Sequence, residues 1–156
     1  MKNQIIPCLW FDNQAEEAVH FYTSLFKNSK IEQVSRYGKV GYEVHGQKEG
    51  TVMTIQFQIN GQRFTALNGG PYFKFSEAIS LQVFCDTQEE IDYYWDRLTE
   101  GGAEGQCGWL TDKYGLSWQV VPSILGDLMA NPKKAEPVMQ AFLKMKKFDI
   151  GTLLKA

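Results

Sequence analysis

The residues of this chain with chemistry to offer are few: His20 and His45, Cys8, Cys85 and Cys107, and the paired carboxylates Glu16-Glu17 and Glu89-Glu90. A catalytic or structural zinc needs three or four imidazole, thiolate or carboxylate donors at close spacing, and no such cluster occurs in the sequence. His20 lies between Val19 and Phe21 on a helical pattern, which suits a solvent-facing or capped ring. His45 sits in a glycine-rich loop, from which it could reach a ligand as acid or base. Cys107, beside Gly108-Trp109, is a candidate nucleophile, but neither histidine is near it in sequence and a packed thiol is the simpler role. Both carboxylate pairs fall in first helical turns, where they complement the helix dipole. Gly69-Gly70-Pro71 and Gly101-Gly102 lack the strand-before, helix-after setting of a Rossmann-type cofactor turn. No catalytic residue is assigned, and neither a metal nor a cofactor is expected.

These residues need elements to position them, and the organising stretch runs from Asp112 to Pro122. It reads as a tight turn at Lys113-Tyr114-Gly115 feeding a strand that stops at a proline. Ser117, Gln119 and Val121 point one way and Leu116, Trp118 and Val120 the other. Such a strand closes a sheet over water or over a partly polar cavity.

Size and composition bound the rest. At 156 residues the chain is expected to be one domain, 1–156, with a core that needs no staples. A net charge of -2 argues against nucleic acid as a partner, and Lys144, Lys146 and Lys147 read as the solvated side of a helix. Three cysteines without C-x-x-C spacing argue against a disulfide framework. No apolar run is long enough for a membrane span and no targeting segment is evident, so a cytoplasmic protein is expected.

Along the chain, Gln4–Phe11 reads as a strand made irregular by Pro7, and Asp12-Asn13-Gln14 starts a helix over 15–27. A strand is expected at 31–37, a flap-like loop at 38–50, and a hairpin of 51–59 with 62–68 through Asn60-Gly61. The plan then restarts. Strand 79–85, helix start Asp86-Thr87-Gln88, helix 89–98 and two short strands near 106–110 and 116–121 follow. One constant shift along the chain superposes Asp12 on Asp86, Gln14 on Gln88, Glu16 on Glu90 and Phe21 on Trp95. A β-α-β-β-β repeat accounts for these matches, with modules at about 1–70 and 72–122 and a helical segment at 123–156. Helices are expected at 123–129, from Asn131-Pro132, and at 148–154. The Val138, Met139, Phe142, Leu143 and Met145 side suits core or dimer packing.

Leu9-Trp10-Phe11-Asp12, Ala15-Glu16-Glu17-Ala18, Phe21-Tyr22, Ala66-Leu67-Asn68-Gly69-Gly70-Pro71, Gln106-Cys107-Gly108-Trp109 and Asp112–Gln119 together resemble one family. It is the PhnB-like branch of the vicinal oxygen chelate superfamily, which includes glyoxalase I, extradiol dioxygenases and bleomycin and fosfomycin resistance proteins. The branch often carries the label 3-demethylubiquinone-9 3-methyltransferase. The resemblance implies an α+β fold in which two βαβββ modules form an eight-stranded, incompletely closed barrel, usually in a homodimer. Metal-dependent members place His, Glu or Gln on the first and last strand of each module. Here those slots fall on Ile6, Asn68 (or Ala66), Ser80 and Gln119, a poor donor set for a divalent metal. In that frame Cys8, Trp10, Asn68, Ser80, Gln82 and Gln119 line the space between the sheets. Aromatic walls with neutral amides and hydroxyls suit a small, partly apolar, uncharged or weakly charged ligand. The expected function is metal-free binding of a small molecule. The alternative is an enzyme of the same fold acting on a quinone-like or dicarbonyl substrate.

Overall fold

The structure, a computed structural model, describes residues 3–156, which divide into two compact units at Lys74/Phe75. In the first unit the order is β1 (Cys8–Phe11), α1 (Ala15–Leu25), β2 (Lys30–Arg36), a one-turn α2 (Tyr42–His45), β3 (Val52–Ile59) and β4 (Gln62–Asn68). Its four strands are ordered β1-β4-β3-β2, with β1 parallel to β4 and the remaining pairs antiparallel. Asn60 and Gly61 both take positive φ, 47° and 82°, as a two-residue hairpin that matches strand twist requires. Period-two alternation gives this sheet two unlike sides. Leu9, Phe11, Ile55, Phe57, Phe64 and Ala66 are buried on one, and α1 packs on β3 and β4 through Ala15, Ala18, Val19 and Tyr22. The opposite side, called the open face below, carries Cys8, Trp10, Thr54, Gln56, Gln58, Arg63 and Thr65.

The second unit repeats the plan with β5 (Leu81–Cys85), α3 (Gln88–Thr99), β6 (Ala103–Glu104), β7 (Trp109–Thr111) and β8 (Ser117–Pro122), ordered β5-β8-β7-β6. Here Ile91, Trp95 and Leu98 of α3 are buried with Leu110, Trp118, Val120 and Cys85. The strand–helix starts keep the offset seen in the sequence, since β1 ends at Phe11 and β5 at Cys85. Beyond the helix the offset shrinks. Phe11 pairs with Asn68 and Cys85 with Pro122, so the step from Asn68 to Pro122 is shorter than the step from Phe11 to Cys85. Between its helix and its closing strand the second unit is the shorter one, and it has no counterpart of the long loop that holds α2.

The strands form two four-stranded sheets, and among the described residues no ladder joins them. Two expectations change. The first strand is only Cys8–Phe11, so Ile6 lies before it. The strand expected at 106–110 is split: a two-residue β6 precedes it, and Cys107 and Gly108 turn with φ of 54° and 80° before β7 begins at Trp109. That turn is imposed from afar. Cys107 and Gly108 donate their N–H groups to the carbonyls of Met145 and Lys146, at 2.8 and 2.7 Å. A side chain at Gly108 would run into the ring of buried Phe148.

After β8 come α4 (Leu125–Ala130), α5 (Ala135–Phe142) and α6 (Ile150–Lys155). Gln88 ties this segment to α3: its Nε2 donates to the Phe148 carbonyl at 3.0 Å, and its Oε1 accepts from the Ile150 N–H at 2.9 Å.

Candidate functional site

The organising turn is built around a buried carboxylate. Asp112 is 2% exposed; its Oδ1 accepts from the N–H groups of Tyr114 (2.9 Å) and Leu116 (3.1 Å), and its Oδ2 from the Trp118 indole at 2.8 Å. This aspartate turn sets where β8 begins, and so which side Ser117 and Gln119 occupy.

On the open face of the second sheet, the register places Gln82, Gln119 and Trp109 in one row across β5, β8 and β7. Gln119 joins its neighbours: its Nε2 donates to Ser80 Oγ at 2.8 Å, and its Oε1 accepts from Gln82 Nε2 at 3.3 Å. Phe84, 62% exposed, and Val121 form the next row of the same face. Ser80, Gln82 and Gln119 are therefore brought together, as neutral amide and hydroxyl groups beside aromatic carbon.

On the first sheet the same register runs Cys8, Thr65, Gln56, Gln33. Cys8 and Gln82 hold the same place in their first strands, three positions before Phe11 and Cys85. Their ladder partners are Thr65 and Gln119, so Thr65 is the closing-strand equivalent of Gln119. This corrects the slot expected at Asn68 or Ala66, both of which face the helix side. Asn68 is 3% exposed, and its amide serves the fold: Oδ1 accepts from Ala15 N at 2.9 Å, and Nδ2 donates to the Val52 carbonyl at 3.0 Å. It caps α1, whose own N-cap residue, Gln14, makes no side-chain cap. Trp10 is half-buried, donates its indole N–H to the Gly70 carbonyl at 2.9 Å and meets Phe73 edge-on at 4.9 Å. Any Cβ at Gly69 would run into the Trp10 ring, so this glycine is required for that stacking.

The reading by residue type passed over Thr54, Gln56, Gln58, Arg63 and Thr65. Their signal was present in the sequence as polar residues at every second position of the hairpin. Glu32 joins them, accepting from Gln58 Nε2 at 2.6 Å and pairing with Arg63 Nε at 3.1 Å. Burial pushes the Glu32 carboxyl up, but Arg63, with help from Gln58 and Lys30, more than offsets this and holds it below the usual range. A carboxyl depressed in the fold stabilises it fully above its unfolded pKa, and that contribution fades as pH falls through the folded value. The urea midpoint of the native chain should therefore fall as pH drops from the ordinary glutamate range through the lower folded value, a slope that an unshifted glutamate would not produce. Glu32→Gln and Arg63→Met should both flatten that part of the curve, the second because it removes the main cause of the depression.

The remaining candidates are engaged elsewhere. His45 Nδ1 accepts from Gln47 N at 2.9 Å, its Nε2 lies 3.3 Å from the Val40 carbonyl, and its ring packs on Tyr37 at 4.5 Å. The loop thus uses both ring nitrogens. Cys107 Sγ donates to the Phe142 carbonyl at 3.6 Å, and both histidines belong to the other unit. Cys85 is buried, and burial, then Glu90 and Asp86, push its thiol up to about 12, the opposite of an activated nucleophile. In the slots that the resemblance assigns to metal ligands, isoleucine, threonine and serine stand beside one amide, Gln119, and the first three are poor donors for a divalent metal. Among the described residues no group of three or more His, Cys, Asp or Glu side chains could hold an ion. Among them, too, no helix is long and apolar enough to cross a membrane.

Two βαβββ units with one strand order, each with an open face backed by a single helix, define a protein of the vicinal oxygen chelate class. The chain belongs to the 3-demethylubiquinone-9 3-methyltransferase family, which matches residues 3–121, and is a PhnB-like member of the glyoxalase/bleomycin resistance superfamily. A PhnB protein from Bacillus cereus is 41% identical over 77% of this chain and 99% of its own, with a TM-score of 0.68. The protein PA1353 from Pseudomonas aeruginosa is 19% identical, with a TM-score of 0.60, over 76% of this chain and 96% of its own. The fosfomycin resistance protein FosX from Listeria monocytogenes shares the fold at 13% identity and a TM-score of 0.56, over 81% of this chain and 96% of its own. No curated protein matches the sequence.

Proposed function

We propose that the protein is a metal-free binder of a small, partly apolar molecule held on the open sheet faces. The observation that carries this is the hydrogen-bonded set Gln82–Gln119–Ser80 beside Trp109 and Phe84, in which the one ligand-type amide, Gln119, is already engaged by its neutral neighbours. Cys8, Trp10 and Thr65 are the corresponding residues of the first sheet. The barrel and homodimer that the resemblance implies, and a cytoplasmic location, are parts of the same proposal; exposed Met139 and Leu143 on α5 and the turn after it support the dimer. The test is tryptophan emission of the purified protein titrated against a panel of planar and aromatic metabolites. Saturable quenching is expected for at least one compound, with affinity at least tenfold weaker in Gln119→Leu. No saturable response to any of them would overturn the binding reading, and stoichiometric Ni, Zn, Mn or Fe in the purified protein would overturn its metal-free part.

A second reading is favoured by the family's methyltransferase label: an enzyme of the same fold acting on a quinone-like or dicarbonyl substrate. Turnover of such a substrate, lost in Gln119→Leu at unchanged stability, would replace the first reading.

A further inference from the structure

The chain has four tryptophans, and three of their indole N–H groups are engaged within it. Trp10 donates to Gly70, Trp95 to Glu104 and Trp118 to Asp112. The Trp109 indole has neither a hydrogen bond nor a ring partner among the described residues, although it is half-buried and stands beside Gln119 in the open-face row. An indole N–H in that setting can donate to a ligand in place of water.

The row next to it has a fixed polarity. Gln82 donates to Gln119, and Gln119 donates to Ser80. Each amide and hydroxyl therefore has one role assigned, which leaves named groups free for a ligand. Ser80 accepts with its oxygen, so its O–H remains to donate. Gln82 gives an N–H to Gln119, so its Oε1 remains to accept. With Trp109, the face offers the Ser80 O–H and the Trp109 N–H as donors and Gln82 Oε1 as a carbonyl acceptor, beside the second N–H of each amide. No side chain of this face is charged: Ser80, Gln82, Phe84, Trp109, Thr111, Ser117, Gln119 and Val121 are all neutral. An anion brought here would lose its water without meeting a counter-charge.

We propose that this face is specific for an uncharged cyclic imide or ureide, a planar ring carrying two carbonyl acceptors and one N–H donor. The two carbonyls take the Ser80 and Trp109 donors, the N–H meets Gln82 Oε1, and the apolar body of the ring covers Phe84 and Val121. This rests on the binding reading above and narrows it to a ligand class.

The test uses the full-length, ¹⁵N-labelled protein, with the Trp109 indole and Gln82 amide signals as readouts. Three probes are compared below neutral pH: phthalimide, N-methylphthalimide (the same ring without the N–H) and phthalate (an anion of similar shape). Phthalimide should shift both signals saturably. N-methylphthalimide should bind roughly fivefold more weakly, the cost of one neutral hydrogen bond, and phthalate should not bind. In Gln82→Leu the two imides should become equal while the Trp109 signal still shifts. Equal affinity of the two imides for the native protein, or phthalate binding as tightly as phthalimide, overturns the assignment and leaves small-molecule binding standing. Saturation at these signals by panel compounds other than imides also overturns the ligand class. If neither probes nor panel saturate, the binding reading falls with it.

Discussion

Asp112→Ala should cost the second unit about 4 kcal/mol. The magnitude follows from what the carboxylate does. It accepts from two backbone N–H groups and one indole, in a place where Asp112 is 2% exposed and Trp118 is equally buried. A hydrogen bond to a charged group contributes about 1.5–3 kcal/mol, and a buried donor left without a partner costs about 1–3 kcal/mol. Three donors share one acceptor group and their losses are not independent, so the sum is smaller than three full penalties. Urea unfolding should show the midpoint falling at nearly constant slope. Asp112→Asn separates the two halves of the role. The amide oxygen can still serve Tyr114 and Leu116, but its NH₂ then faces the Trp118 N–H, donor against donor. About half of the loss is expected, together with a changed environment for the Trp118 indole in the ¹⁵N spectrum. A variant as stable as the native chain would mean that the turn forms without its aspartate.

The second large effect is expected at Asn68. Asn68→Leu keeps the volume and removes both amide contacts, leaving Ala15 N without its cap and the Val52 carbonyl without its donor. A lost N-cap costs about 0.5–2 kcal/mol and an unpaired buried carbonyl a further 1–3 kcal/mol, which gives about 3 kcal/mol for the pair. Asn68→Asp retains an acceptor at the N-terminus of α1, where a negative charge is favoured, but sets an oxygen against the Val52 carbonyl. It should recover roughly half of the loss. Hydrogen exchange at the first turn of α1 distinguishes the two contacts: Leu exposes it, Asp protects it. A ligand-binding role would instead leave stability unchanged in Asn68→Leu and reduce affinity.

The features readable from the amino-acid order are those that a residue and its near neighbours decide. Asn60-Gly61 turns because both residues tolerate positive φ, and the polar-apolar alternation of 62–68 is what a one-sided sheet requires. The constant offset between the halves is visible at the helix starts because α1 and α3 carry the same acidic first turn and the same core stripe. The resemblance, spread over residues 9–119, carried the family with it.

Other features depended on partners far away in the chain. Asn68 reads as a candidate ligand amide until Ala15, 53 residues earlier, is seen to need its oxygen. The turn at Cys107-Gly108 reads as a strand until the carbonyls of Met145 and Lys146 claim its N–H groups. Thr65 and not Asn68 matches Gln119, because the second unit is shorter between its helix and its closing strand, and a constant shift cannot see that gap. Composition, periodicity and turn preference settled α1, α3, the hairpin and the repeated strand–helix start, since each is a property of a few consecutive residues, but not the one-turn α2 inside the expected loop. The assignment of each polar side chain to the fold or to the open face was settled only by strand register and by hydrogen bonds closing loops of 16 to 62 residues.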